Sequence, residues 1–260
     1  MSQAPLAAMI LAAGRGERMR PLTDHTPKPL LQVGGKPLLQ WHLEALSQAG
    51  FESVMINVAH LGAQIEQFVG DGSRWNLQVR FSQEPQGALE TAGGIALARP
   101  WAGADCHAPD SLFFVINADI WTDWPRAQAF EIAQQMRGSH ALAHIVLVDN
   151  PPHHPQGDFE LHADGSPRPL TGPRDDDSVI ARSAQRDVAI HPSLTFSGIG
   201  IYRPALFQDI KPGQRAALAP LLRQAMATGQ CTASHYRGKW SDIGTPERLN
   251  EINSAMSEPK

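Results

Sequence analysis

Short runs of β-branched and other apolar residues alternate with longer amphipathic segments along most of the chain. Alternation of this kind is typical of a sheet whose largely parallel strands are connected by crossover helices. It predicts an α/β fold, Rossmann-like, with a mostly parallel central sheet flanked by helices. The predicted strands lie near Ala7–Ala12, Ser53–Val58, Gln78–Ser82, Leu112–Ile116, Ala141–Val148 and Leu194–Tyr202.

The predicted helices fill the segments between these strands. The first, Leu38–Gly50, has apolar residues at helical spacing and ends at a glycine, which is a common C-terminal cap. A TIM barrel is the alternative fold on pattern alone, but it requires eight strand–helix units and about five are visible here. The other predicted helices are Gly62–Val69, Thr91–Arg99, Arg126–Arg137, Ala217–Thr228 and a last helix with Thr245 as its N-cap.

A glycine loop with basic residues follows the first predicted strand. It reads GRGERMRPLT from Gly14, and Lys28 follows between two prolines. Gly14 and Gly16 lack the Cβ that would keep a polyphosphate from backbone N–H groups, and Arg18 and Lys28 supply positive charge. A plain strand-to-helix turn is the alternative interpretation. A Walker A loop is excluded because Met19 and Arg20 stand where it needs glycine and lysine.

Four segments of the chain resemble the sugar-phosphate nucleotidyltransferases, and they occur in the order expected for that family. The loop from Gly14 to Leu30 resembles the family's signature. The other three resemble its base-recognition segment and its two metal turns. They are Leu89-Glu90-Thr91-Ala92-Gly93-Gly94, Asn117-Ala118-Asp119 and Trp240-Ser241-Asp242-Ile243-Gly244-Thr245-Pro246-Glu247.

The resemblance implies a nucleotide-diphospho-sugar transferase fold, similar to GT-A, and a role for each motif. Arg18 and Lys28 are expected to be catalytic, because nucleotidyl transfer mainly requires positioning and charge neutralisation. Asp119 and Asp242 are the expected ligands of Mg²⁺, which prefers one or two carboxylates with phosphate oxygens and water. The expected nucleotide-binding residues are Leu11, Ala12, Ala13, Gly14, Arg15, Gly16, Gln83, Glu90, Thr91 and Gly93, and the expected sugar-binding residues are Asn117, Trp121, Ser197 and Gly198.

The resemblance also implies the substrates, UTP and a sugar 1-phosphate. N-acetylmuramate 1-phosphate is the expected sugar, with UDP-N-acetylmuramate as product and a role in peptidoglycan recycling. Arg203 and Lys239 are further candidates that would face its lactyl carboxylate. The chain lacks the Glu-Lys-Pro element in which many relatives place a sugar-binding glutamate. The alternatives are the same reaction with another pair, such as GTP and mannose 1-phosphate, or a catalytically silent regulatory protein that binds sugar nucleotides.

Composition excludes several classes of partner. The net charge is −4 with acids and bases interspersed, so nucleic acid is not an expected partner. No apolar stretch approaches the ~20 residues of a membrane span, and the apolar Leu6–Ala13 is better explained as a first strand than as a signal peptide. The two cysteines lack C-x-x-C spacing, which fits a reducing cytosol. We therefore expect a soluble, cytoplasmic protein, either a monomer or a weak homodimer.

The chain is expected to form one nucleotidyltransferase domain over residues 1–260. Residues 1–148 would bind the nucleotide, and residues 193–260 would supply the sugar site and the second metal ligand. Regularity fails over residues 149–192, a proline-rich stretch predicted to be an irregular insertion or lid beside the sugar pocket. A surface excursion without a role is the alternative. The histidines at 144, 153, 154 and 162 are expected to lie on the surface rather than to bind metal.

Overall fold

The structure is a computed structural model that describes residues 6–85, 89–99, 111–170 and 192–257. Its centre is a mixed sheet of nine strands in the order β10-β9-β11-β6-β1-β4-β5, with β8 paired to β11 and β12 paired to β8. The strands are β1 Ala7–Leu11, β4 Ser53–Val58, β5 Gln78–Gln83, β6 Phe113–Asn117, β8 Ala143–Val148, β9 Phe159–Leu161, β10 Pro167–Pro169, β11 Ser193–Tyr202 and β12 Cys231–Tyr236. A short hairpin joins β2 Gln32–Val33 to β3 Lys36–Pro37, and β7 Ile120–Thr122 pairs antiparallel with β13 Trp240–Asp242 from a distant part of the chain.

The predicted parallel core of the sheet is confirmed. Strand β1 lies between β4 and β6 and is parallel to both, and β5 is parallel to β4. The sheet is mixed because β11 runs antiparallel to β6, β8 and β9. The predicted helices are also present, with ends that differ by up to two residues. They are α1 Leu38–Gln48, α2 Gly62–Val69, α3 Glu90–Ala98, α4 Gln128–Arg137, α5 Leu218–Ala227 and α6 Pro246–Ser257.

The alternation of side chains along β1 divides the core between the two faces of the sheet. Ala8 and Ile10 point to the face covered by α1, α2 and α4, whereas Met9 points to the face covered by α3 and α5. All three side chains are fully buried. Helices on both faces hold the strand ends rigid, and in such sheets ligands bind outside the carboxyl ends of the strands.

A third apolar cluster joins the beginning of the chain to its end. Met19 from the glycine loop, Val33 from β2 and Leu38 from α1 pack with Ile243 and Leu249. Gly34 lies so close to helix α6 that a Cβ at this position would be 2.6 Å from the sulfur of Met256. Helix α6 is thereby fixed against the loop, and β13 is fixed next to β7.

The segment predicted to be irregular contains ordered structure in its first half. Strands β9 and β10 form a hairpin that extends the main sheet through β11. Asp158 anchors the preceding loop, because its Oδ2 accepts a hydrogen bond of 2.8 Å from the backbone N–H of Phe196. Residues 171–191 lie outside the described residues, so the role of the segment as a lid stays a prediction. No helix in the described ranges has the length and apolar character that crossing a bilayer requires.

Candidate active site

A cavity of about 370 Å³ opens where β1 and β6 end. Many of the residues predicted for the site line it together. They are Leu11, Ala12, Ala13, Gly14, Gly16, Arg18, Lys28, Glu90, Thr91, Asn117 and Asp119. The cavity is also lined by Glu17, Pro29, Asn57, Glu84, Ala118 and Gly244. The glycine loop and the first proposed metal turn, about 100 residues apart in sequence, therefore face one space.

Glycine stands at positions 14 and 16 of the loop for two different structural reasons. Gly16 has a φ of +69°, and its carbonyl accepts hydrogen bonds from Met19 N and Thr23 Oγ1, both at 2.9 Å. A Cβ at Gly16 would also lie 3.1 Å from Thr23, so glycine is required there by the turn. Gly14 has no neighbour within 4 Å of an ideal Cβ position. The missing side chain at Gly14 leaves open space at the cavity wall.

Lys28 makes an ion pair across the cavity floor. Its Nζ donates a hydrogen bond of 2.6 Å to Oδ2 of Asp119. Lys28 is buried, with 8% of its surface exposed, and it lies between Pro27 and Pro29 in a short 3₁₀ turn. Since each proline restricts the backbone beside it, the ammonium group is held at a defined place. Asp119 presents a side chain that is 41% exposed.

The antiparallel pairing of β7 with β13 brings the backbones of Asp119 and Asp242 to the same edge of the sheet. Asp242 pairs with Ile120 in the antiparallel register, and Ile243 N donates a hydrogen bond of 2.8 Å to the carbonyl of Asp119. Asp123 fixes this strand pair, because its carboxylate accepts hydrogen bonds from Tyr236 Oη at 2.5 Å and from the backbone of Lys239. Burial and this contact raise the pKa of the Tyr236 phenol, which keeps it a donor.

Asp242 does not line the cavity itself, although Gly244 does. Its Oδ2 accepts a hydrogen bond from Arg248, and His153 from the loop before β9 lies 2.9 Å from Oδ1. Despite that approach, Oδ1 is buried and has no hydrogen-bond partner among the described residues. Such an oxygen is costly without a cation or a donor, so the residues here fit a divalent metal ion.

Asp119 and Asp242 are neighbours through the backbones of the β7 and β13 segments. Within residues 6–85, 89–99, 111–170 and 192–257, no group of three or more His, Cys, Asp and Glu side chains is arranged to hold a metal. A Mg²⁺ site can consist of one or two carboxylates completed by phosphate oxygens and water, so two aspartates without further protein ligands are compatible with it. Of the histidines expected on the surface, His144 is instead buried between β8 and β12.

Asn57 and Glu84 form a polar network at the other end of the cavity. Asn57 Oδ1 accepts a hydrogen bond of 2.7 Å from Ala12 N, and its Nδ2 donates one of 2.6 Å to Glu84 Oε1. Leu89 N donates to the second oxygen of Glu84 at 3.2 Å. Asn57 was not among the predicted site residues. The sequence signal for Asn57 is a single amide side chain near the end of an apolar strand, because ligands bind at strand ends in such sheets.

Three predicted nucleotide-binding residues do not line the cavity. The guanidinium of Arg15 contacts the ring of His60 at 2.8 Å and the carboxylate of Glu17 at 2.8 Å. Gln83 donates to Glu66 on α2. Gly93 lies against the loop before α5, where a Cβ would come within 2.4 Å of a backbone carbonyl. In this structure Arg15 and Gln83 contact protein side chains, and Gly93 permits close packing.

The predicted sugar residues are distributed around the end of β6. Asn117 lines the cavity, and its side chain packs against Gly198, whose φ is +81°. A Cβ at Gly198 would be 2.8 Å from the Asn117 amide nitrogen. Ser197 is buried and donates its hydroxyl to the carbonyl of Val146 at 2.7 Å. Trp121 packs edge-on against Trp41, with 6.1 Å between the ring centroids.

The expectation for Arg203 is wrong. The side chain is buried, and its guanidinium donates hydrogen bonds to the carbonyls of Ala141, Met136 and Ser139. Arg203 therefore closes the end of helix α4 instead of facing a substrate carboxylate. In the sequence Arg203 directly follows a predicted strand. This position does not distinguish an arginine that binds a substrate from one that donates to backbone carbonyls.

Comparisons with known proteins identify the family of the chain. A family model described as nucleotidyl transferase matches residues 7–258. The chain is 48% identical to an N-acetylmuramate alpha-1-phosphate uridylyltransferase of Neisseria meningitidis serogroup B, over 96% of this chain and 97% of that protein. It is 31% identical to a protein of the same name from Caulobacter vibrioides, over 99% of this chain and 100% of that protein.

Solved structures support the fold. A putative glucose-1-phosphate thymidylyltransferase from Bacillus anthracis superposes with a TM-score of 0.76 at 19% identity, covering 98% of this chain and 96% of that chain. HddC from Yersinia pseudotuberculosis gives 0.68 at 20% identity, covering 96% of this chain and 99% of that chain. With the family model matched over nearly the whole chain and a relative 48% identical along its length, the chain belongs to the nucleotidyl transferase family.

Proposed function

We propose that the chain transfers the uridylyl group of UTP to N-acetylmuramate 1-phosphate, with UDP-N-acetylmuramate and pyrophosphate as products. The observation that carries the proposal is the cavity in which the open wall at Gly14 faces the Lys28–Asp119 ion pair. The identity of 48% to the Neisseria meningitidis relative supports uridine and muramate over other pairs. A place in peptidoglycan recycling follows from that substrate.

The order of the strands gives the nucleotide a direction in the cavity. Asn57 and Glu84 stand at the ends of β4 and β5, Gly14 follows β1, and Asp119 follows β6. The sheet order β6-β1-β4-β5 arranges these groups in a row. We place the nucleoside over the β4 and β5 ends, the phosphates over the glycine loop, and the sugar phosphate beside Asp119.

The chemistry is an in-line displacement at the α-phosphorus. An oxygen of the sugar phosphate attacks, the bond between the α-phosphorus and the bridging oxygen breaks, and pyrophosphate leaves with the bonding electrons. Arg18 lines the cavity and is proposed to bind the β- and γ-phosphates, where its planar fork stabilises the leaving group. Lys28 is proposed to neutralise charge between the α-phosphate and the attacking phosphate.

Mg²⁺ is the proposed cofactor, with Asp119 and Asp242 as the side chains that would hold it. A bound divalent cation supplies Lewis-acid stabilisation of phosphate oxygens and reduces the repulsion between two anionic substrates. Oδ1 of Asp242 is buried and accepts no hydrogen bond among the described residues, although His153 Nε2 lies 2.9 Å away, and this supports the assignment. Arg248 and His153, which contact that carboxylate in the structure, hold it in place beside the cavity.

On the sugar side, Asn117 is the best supported of the proposed residues, because it lines the cavity next to Asp119. Gly198 is proposed to act by letting the Asn117 amide approach the β11 backbone. Trp121 and Ser197 contact other protein groups, so we propose them as the wall behind the sugar. The backbone N–H of Lys239 holds β13 beside β7, through a hydrogen bond of 2.7 Å to Asp123.

The test is pyrophosphate release measured across a matrix of triphosphates and sugar 1-phosphates. We expect the highest kcat/KM for UTP with N-acetylmuramate 1-phosphate in the presence of Mg²⁺. A higher value for GTP with mannose 1-phosphate would replace both substrates in the proposal. Absence of turnover with every pair, together with tight binding of a nucleotide sugar, would instead show a regulatory binding protein.

A further inference from the structure

Glu90 has an uncommon backbone conformation at a functional position. It is the first residue of α3, its φ is +59°, and its side chain lines the cavity. A non-glycine residue in the left-handed region costs free energy, and such residues cluster at active and ligand-binding sites. Glycine would adopt this conformation without cost, so the backbone does not explain why a glutamate stands here.

The turn around Glu90 is built rather than loose. Ala216 N donates to the carbonyl of Leu89 at 3.0 Å, and Gly93 N donates to the carbonyl of Ala216 at 3.0 Å. Arg215 from the same loop pairs with Glu90, with 2.7 Å between Nη2 and Oε1. The loop before α5 therefore fixes both the backbone and the direction of the Glu90 carboxylate, while the side chain stays 37% exposed.

A carboxylate in a cavity proposed to bind a polyanion needs a neutral donor as its partner. Glu90 follows the β5 end of the row, on the side of Asn57 and Glu84, and not the side of Lys28 and Asp119. Glu84 is already satisfied by Asn57 and Leu89. Glu90 has Arg215 as a partner and stays 37% exposed, so of the two carboxylates at the nucleoside end it is the one open to further donors.

We propose that Glu90 binds the ribose of the nucleoside triphosphate by accepting hydrogen bonds from its 2′- and 3′-hydroxyl groups, and so selects ribonucleotides over deoxyribonucleotides. The inference rests on the proposed function for the identity of the nucleotide. Two adjacent hydroxyl donors match the two oxygens of a carboxylate. The Watson–Crick edge of uracil fits less well, because its imide N–H is flanked by carbonyl oxygens that repel a carboxylate.

The experiment measures binding by calorimetry, so that it does not depend on turnover. Kd values are determined for UTP, 2′-deoxyUTP, 3′-deoxyUTP and GTP with wild type, Glu90→Gly and Glu90→Gln. We expect wild type to bind UTP at least about tenfold more tightly than either deoxy analogue, the usual effect of a hydrogen bond to a charged group. Glu90→Gly should reduce that ratio to near one, and Glu90→Gln should reduce it partly.

Asn76→Gly is the matched control. Asn76 also has a left-handed backbone, with a φ of +56°, and it is exposed outside the cavity. Both glycine variants should keep a Tm within about 2 °C of wild type, since glycine relieves the strain at either position. Only the Glu90 variant should change the ratio of Kd values, which separates a loss of ribose contact from a change in stability.

Three results would overturn the inference. Wild type could bind the deoxy analogues as tightly as UTP, Glu90→Gly could retain the full preference, or the variants could change the preference of UTP over GTP and leave the ribose ratio intact, which would assign Glu90 to the base. Failure of the proposed function gives a different result. In that case UTP and N-acetylmuramate 1-phosphate show no turnover, whereas the ribose preference in binding is unaffected.

Discussion

Lys28 Nζ lies 2.6 Å from Asp119 Oδ2, so a buried cation is paired with a carboxylate that we propose as a metal ligand. Each group neutralises the charge of the other at this contact. Binding of a divalent ion to Asp119 would free the ammonium group to bind a phosphate. The ion pair therefore holds the Lys28 ammonium group next to the proposed position of a substrate phosphate.

Lys28→Ala is expected to lower kcat by about 100-fold or more, as the loss of one group that stabilises developing charge does in other enzymes. Pyrophosphate release under saturating UTP and sugar phosphate measures it. Lys36→Ala is the matched control, because Lys36 pairs with Glu44 and does not line the cavity. Wild-type kcat in Lys28→Ala, with the fold retained by circular dichroism, would remove Lys28 from the mechanism.

Asp242→Asn is expected to raise the Mg²⁺ concentration for half-maximal activity by about tenfold or more, since the metal loses a charged ligand. Chelation by EDTA should abolish wild-type activity, and added Mg²⁺ should restore it. Asp71→Asn removes an exposed carboxylate that lies outside the cavity, and it should leave the Mg²⁺ titration unchanged. Identical titrations for wild type and Asp242→Asn would contradict the assignment of Asp242.

Gly198→Ala is expected to raise the KM for the sugar phosphate by about tenfold, because the new Cβ would displace the Asn117 amide that lies 2.8 Å away. Gly229→Ala is the control, since Gly229 also has a positive φ, of +69°, but has no neighbour within 4 Å of a Cβ. Both variants should lose about 1 kcal/mol of stability from the backbone alone. Equal KM values in the two variants would show that Asn117 does not contact the sugar phosphate.

The free energy of unfolding is expected to fall as pH decreases from 7 to 5, in part because of His144. Burial lowers the pKa of His144 to about 4 from 6.5, and its ring nitrogens form hydrogen bonds with Thr232 and Ser234. The unfolded chain therefore binds a proton below pH 6.5 that the folded chain does not bind until about pH 4. This difference removes about 2 kcal/mol by pH 5.

Urea unfolding of wild type and His144→Gln at several pH values measures this effect. The variant lacks the titrating ring, so its stability should change less between pH 7 and pH 5, whatever its stability at pH 7. A matched control is His25→Gln, which removes an exposed histidine. Parallel pH profiles for wild type and His144→Gln would contradict a depressed pKa at this position.

The fold could be predicted because its determinants are local. Apolar periodicity and glycine positions define the strands and helices, and the carboxyl end of β1 marks the ligand edge. What could not be predicted depends on contacts between distant segments. Ser197 and Arg203 carry polar side chains that suggest binding, yet both satisfy backbone groups within the core. The positive φ of Glu90 is a property of the backbone, and the identity of the residue does not reveal it.

The packing of Met19 and Val33 against Ile243 and Leu249 ties the glycine loop to a segment more than 200 residues further along the chain. Met19 is fully buried in this cluster, while Gly16 and Arg18 of the same loop line the cavity. The shape of the cavity wall therefore depends on an apolar contact outside the cavity. A substitution that shortens Leu249 would leave a void behind the loop and loosen it without touching any residue of the cavity wall.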